Sequence, residues 1–146
     1  MDELDKSIIS QLEKDGRASN AFIARESGVS EGTVRRRLKK LIGDEIINVV
    51  ALPDPSKLGY ESEALIGIQI DPDQVENAAN KVAKLDHTRW VAMTTGTYDV
   101  FVWVTLANPE ALGRFIRIEI GAIEGVRRTE TFVNLQVMKR QFGILK

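Results

Sequence analysis

The sequence predicts an α+β protein in two parts: an N-terminal three-helix helix-turn-helix domain, winged-helix-like, joined by a hinge to a C-terminal ferredoxin-like βαββαβ sandwich. Three observations predict this. Apolar residues recur at helical spacing through the first 42 positions, with glycine at the breaks. The stretch PDPSKLGYES, with two prolines and a glycine, then interrupts the chain. Beyond it, strand-like runs alternate with two helices that open on similar triplets, Asp71-Pro72-Asp73 and Asn108-Pro109-Glu110.

Composition narrows the chemistry. The 146 residues, 43% of them hydrophobic, suit one medium domain or two small ones. No apolar run approaches the roughly 18 residues needed to cross a bilayer. The opening MDELDKSIIS is acidic where a secretory signal is basic, so the cytoplasm is the expected location and no membrane partner is expected. The absence of cysteine excludes disulfides and thiolate metal sites. A single histidine, His87, leaves little for a His-based metal site or a Ser-His triad. No catalytic residue, metal or redox cofactor is therefore expected.

The first segment carries Leu4, Ile8, Ile9 and Leu12 at helical spacing and stops at Gly16, expected in the left-handed conformation that closes a helix. In ASNAFIARESG, Ser19 caps a second helix that turns Phe22 and Ile23 inward, and Gly28 ends it. Ser30 caps a third, with Val34, Leu38, Leu41 and Ile42 at i, i+4, i+7 and i+8. In that helix five cations occupy six consecutive positions of a chain whose formal charge is only -1. A charge run alone is commonly a solvated face. The preceding helix, the short GVS turn and the cap make it instead the second helix of a helix-turn-helix, the one that enters the major groove. Through Leu52, nine basic residues balance nine acidic ones, so attraction to DNA must come from this helix.

In the second half, EALIGIQI alternates Ala64, Ile66, Ile68 and Ile70 on one face, and VFVWVTL is a continuous apolar run. DPDQVENAANKVAKL and NPEALGRFIRIEIGAI read as helices capped by Asp71 and Asn108, 37 positions apart, and the last strand lies in VRRTETFVNLQVM. A βαββαβ sandwich leaves one sheet face without helices. If that face carries Trp90 or Trp103 it predicts a dimer; the alternative is that both tryptophans pack under the helices.

These features, in this order, resemble the Lrp/AsnC family of feast/famine transcription regulators over essentially the whole chain. LDKSIISQLEKDGR is similar to the family's opening helix, IARESGVSEGTVRRRLKKL to its helix-turn-helix and DPSKLG to its hinge; GTYDV resembles its effector loop of glycine, any residue, aromatic and aspartate. Two positions depart from the pattern: Glu45 and Val49 stand where the family usually has glycine.

The resemblance implies residues 1–52 as DNA-binding domain, 53–61 as hinge and 62–146 as effector-binding and oligomerisation domain. Ser30, Thr33, Arg35 and Arg36 lie in the part of the third helix that faces base edges, with sequence readout on Arg35 and Arg36. Arg37, which matches the family's own arginine, and Lys39 and Lys40 suit phosphates or structure. Gly96, Thr97, Tyr98 and Asp99 form the implied effector loop. There Asp99 accepts the ammonium of an amino acid, and Thr94, Thr95, Thr129 and Thr131 add hydroxyls. The competing reading is that Asp99 and Thr97 only complete a hairpin turn. The implied function is a sequence-specific DNA-binding transcription regulator, a homodimer or octamer, with double-stranded DNA as partner and an amino acid as effector. Two alternatives stand beside it. One is a siroheme-decarboxylase-like enzyme of the same architecture, which needs histidine-rich segments where this chain has RWVAMTTGTYDV. The other is a ligand-sensing assembly protein without DNA binding.

Overall fold

In the computed structural model, residues 1–140 are described and the chain divides into two compact units. Met1–Leu52 makes the first, together with Lys139 and Arg140, and Pro53–Met138 the second. The end of the expected second domain, residues 141–146, lies outside the described residues.

The first unit is built from α1 (Glu3–Lys14), α2 (Asn20–Ser27) and α3 (Glu31–Gly43). Each opens on a side-chain cap that satisfies an otherwise free amide. Asp2 and Asp5 form a reciprocal capping box, Ser19 accepts from the Phe22 amide and Ser30 from the Thr33 amide. Gly28 takes φ 66, as the left-handed turn between α2 and α3 requires. Gly16 does not, since α1 ends at an extended Asp15 whose carboxylate accepts the Arg17 amide. Leu4, Leu12 and Leu38 surround a core of Ile8, Ile9, Ile23, Ala24, Val34 and Leu41.

Two expected core residues stay outside. Phe22 is 38% exposed with the Arg25 guanidinium 5.5 Å above its ring, because Ile23 and Ala24 define the inward face and Phe22 precedes them by about 100° and 200° of helix turn. Ile42 is 42% exposed because a step of eight residues swings it about 80° from Val34, whereas Leu41 at seven returns to the same face. After α3 the Glu45 amide bonds to Ile42 and the Ile46 amide to Leu41, closing the helix with Glu45 in the left-handed region at φ 55.

The second unit begins with a 3₁₀ turn at Pro55–Leu58. It continues as β1 (Ser62–Ile70), α4 (Val75–Ala83), β2 (Thr88–Met93), β3 (Val100–Leu106), α5 (Pro109–Arg114, prolonged by a π-helical turn Phe115–Ile120) and β4 (Val126–Val133). The strands form one antiparallel sheet in the order β2-β3-β1-β4, the ferredoxin-like arrangement. Asn108 caps α5 through the Ala111 amide. Asp71 does not cap α4. Its carbonyl accepts the Gln74 amide in a turn, and the helix starts only at Val75, since Asp71-Pro72-Asp73 is spent reversing the chain after β1.

Strand alternation gives the sheet two different faces. Ile66, Ile68, Val100, Val102 and Val104 are buried against Val82, Phe115 and Ile120 of the helical layer. The other face is covered by none of the described helices of this unit. Leu65 pairs there with Trp103 on one side and Phe132 on the other, and Trp103 with Trp90. The Tyr98 ring lies over Gly67, where a Cβ would come within 2.7 Å of it, and stands edge-on to Phe101 at 5.4 Å and Phe132 at 6.5 Å. Both tryptophans are therefore on the open face, not under the helices. Trp90 is 53% exposed, while Trp103 donates its indole N–H to Glu63 at 2.7 Å.

Candidate DNA-binding helix and effector loop

The start of α3 is set by short-range chemistry. Ser30 Oγ accepts the Thr33 amide at 3.2 Å and lies 2.9 Å from Thr33 Oγ1, so both hydroxyls are used in closing the cap. Burying Val34 and Leu41 turns the opposite side of α3 outward. Arg36, Lys39 and Lys40 are exposed there, and their side chains make no ion pair or hydrogen bond among the described residues. Arg35, also exposed, donates to Glu31 one turn earlier at 2.6 Å.

Arg37 differs from its neighbours. Half-buried, it reaches back to α1, with Nη2 2.9 Å from Asp2 and Nη1 3.3 Å from the buried Asp5. Through these contacts it braces α3 against the capping box of α1. The Asp5 amide holds the Asp2 carboxyl below the usual carboxylate range, and the Arg37 guanidinium pulls the same way. Neither Asp2 nor Asp5 stands out in the sequence as a partner of Arg37, since they lie more than 30 positions away. Glu31 carries a readable signal, its i, i+4 spacing to Arg35.

In the second unit the hairpin between β2 and β3 brings Thr94, Gly96, Thr97, Tyr98 and Asp99 together. The Thr94 amide and hydroxyl bond to the carbonyls of Asp99 and Tyr98, each at 2.9 Å. Gly96, at φ 108, occupies a conformation that favours glycine. Asp99 ties the loop to β1: its amide donates to the Ile68 carbonyl, and its Oδ2 accepts the Ile70 amide at 2.7 Å. Gln69 donates to the Thr97 carbonyl at 3.0 Å. Asp99 thus takes part in closing the hairpin, and its Oδ1 accepts no hydrogen bond among the described residues. Thr129 and Thr131 do not join the loop. They sit on β4 opposite Ile68 and Ile66, on the helix-covered side and separated from the loop strand by β1. Gly67 and Gln69, which seat the loop, carry no sequence signal of that role.

A capped helix-turn-helix with a basic outer face, followed by an antiparallel βαββαβ sandwich with a strapped hairpin loop, defines a two-domain transcriptional regulator. Two family models match the chain: the AsnC-type helix-turn-helix domain over residues 1–42 and the Lrp/AsnC ligand binding domain over residues 63–144. The chain belongs to the Lrp/AsnC family. It is 41% identical over 140 residues, 95% of each chain, to an uncharacterised helix-turn-helix transcriptional regulator of Pyrococcus furiosus. Among solved structures it matches AsnC of E. coli with a TM-score of 0.87 at 29% identity over 97% of each chain. It also matches a transcriptional regulator of Neisseria meningitidis, solved as an L-Met complex, with a TM-score of 0.89 at 23% identity over 99% of this chain and 96% of that one.

Proposed function

We propose that the protein is a sequence-specific DNA-binding transcription regulator whose α3 enters the major groove. The observation that carries this reading is the outward basic face of a capped α3. Arg35 and Arg36 address base edges, Lys39 and Lys40 address phosphates, and Ser30 and Thr33 fix the start of the helix. Arg37 supports the helix from behind. No catalytic step belongs to the reading: His87 packs edge-on to Phe115 with centroids 5.8 Å apart, and the relative in Pyrococcus furiosus is named a transcriptional regulator. The site of action is the cytoplasm. Among the described residues no helix is long and apolar enough to cross a membrane.

The second unit binds an amino-acid effector and assembles subunits. The effector reading is supported by the match to the Lrp/AsnC ligand binding domain and by the L-Met complex of the Neisseria meningitidis regulator. In this chain Asp99 Oδ1 takes the ammonium, the backbone of Gly96 and Thr97 lines the loop, and Thr94 and Tyr98 complete the surroundings, while Thr129 and Thr131, on the helix-covered side of β4, stand apart from it. The helix-free aromatic face supports a homodimer, with an octamer as the larger assembly.

The test is titration of the full chain against duplexes from its own upstream region at rising salt. Binding weakens with a log-log slope of about -0.9 per neutralised phosphate, and a slope near zero overturns the reading. Arg36→Ala loses about 1 to 3 kcal/mol per contacted half-site and relaxes discrimination. Equal losses on specific and random DNA reassign Arg36 to a phosphate.

A further inference from the structure

Glu31 and Arg35 lie one turn apart on the flank of α3 and are joined by a 2.6 Å contact between Nη2 and Oε1. As a stabilising device the pair does little, because its side chains are 49% and 68% exposed and water screens them. Glu31 is not needed as a cap either, since Ser30 already accepts the Thr33 amide. An acid beside a surface that must approach a polyanion opposes binding. The helix dipole favours an acid in this first turn, and the same carboxylate also offers an approaching duplex an acceptor that the neighbouring cations lack.

Base edges supply a donor for it. In the major groove a G·C pair sets the N7 and O6 acceptors of guanine beside the N4 amino donor of cytosine. Arg35 has five N–H donors and gives only one to Glu31, while the carboxylate keeps its other acceptor positions. The joined pair presents donors next to an acceptor, the complement of that edge. We propose that Glu31 and Arg35 form one composite reader that demands a G·C pair, the guanidinium donating to guanine and the carboxylate accepting from cytosine N4. The proposal rests on α3 reading DNA as described above. Glu31 then acts mainly by rejection, because a thymine O4 or a phosphate facing the carboxylate is repelled. Arg36, without a partner among the described residues, reads free of that constraint.

The experiment selects preferred duplexes from a randomised pool with the full-length protein. Affinities of wild type, Glu31→Gln, Arg35→Ala and the double variant are then measured on three duplexes: the selected site, the site with its contacted G·C pair changed to A·T, and random DNA. Wild type is expected to lose about tenfold or more on the changed site. Glu31→Gln binds random DNA more tightly yet loses most of that discrimination. The double variant discriminates no worse than either single variant, because the two groups read one base pair as a unit. Glutamine is a good helix former, and an unchanged melting midpoint for Glu31→Gln excludes a loss through unfolding. A gain by the same factor on all three duplexes would make Glu31 a simple repulsive charge and overturn the proposal. So would discrimination that Glu31→Gln leaves intact, or losses that add in the double variant. A wild type that enriches no sequence fails at the DNA reading itself, a result distinct from these.

Discussion

Glu45 is the one described non-glycine residue with positive φ, 55. It closes α3 because the Ile46 amide must reach the Leu41 carbonyl, and that reach needs a left-handed residue at position 45. A side chain there meets its own carbonyl, at a cost of about 1 to 2 kcal/mol that glycine avoids. Glycine in turn loses more backbone entropy on folding. Glu45→Gly is therefore expected to stabilise the full chain by about 0.5 to 1 kcal/mol, read as a shift in the denaturant midpoint at constant slope. A loss of stability would mean that the glutamate side chain contributes more than its backbone strain costs.

Elements are held together by two tethers that act across long stretches of chain. Arg37 joins α3 to the start of α1, and Arg37→Met leaves Asp5 buried with its charge uncompensated. The expected loss is about 1.5 to 3 kcal/mol in chemical denaturation, against about 0.5 kcal/mol or less for the exposed Arg36→Ala. Equal effects of the two variants would remove the brace. Asp99 is the second tether, and its two oxygens allow its roles to be separated. Asp99→Asn keeps an acceptor for the Ile70 amide but removes the charge. Calorimetry with the twenty amino acids is expected to show effector affinity at least about tenfold weaker at an unchanged melting midpoint. Asp99→Ala lowers the midpoint as well. If the asparagine variant binds the effector as tightly as wild type, Asp99 is only a hairpin residue.

Assembly is expected from the sheet face that no described helix of the second unit covers. Tyr98, Phe101, Trp103 and Phe132 cluster there beside Trp90, and a contiguous aromatic surface of this kind marks an interaction site. The fragment of residues 53–146 is expected to sediment as a dimer or larger at micromolar concentration. The fragment of residues 1–52, whose six-residue buried core closes on itself, is expected to be monomeric. Trp90→Glu should shift the full chain toward monomer by placing an unpaired charge in the interface. A C-terminal fragment that stays monomeric would refute this account of assembly.

What the sequence determined by itself acts over a few residues. The caps at Ser19, Ser30 and Asn108 work within three positions, Gly28 within one turn, and the alternation of Ala64, Ile66, Ile68 and Ile70 along a single strand. From these the three helices, the βαββαβ order and the outward cations of α3 were legible. So was the family resemblance, which depends on the order and spacing of such local motifs. The tertiary structure decided what depends on distant partners. Arg37 became a brace because Asp5 lies 32 positions away, and Asp99 a strap because the Ile70 amide lies 29 positions away. Tyr98 lies flat over β1 because residue 67 has no side chain. Thr129 and Thr131 fell on the helix side because the register with β1 set their direction, and a shift of one residue would have turned both over. A side chain's type announces what it can bond to, but only the closed fold determines which partner comes within reach.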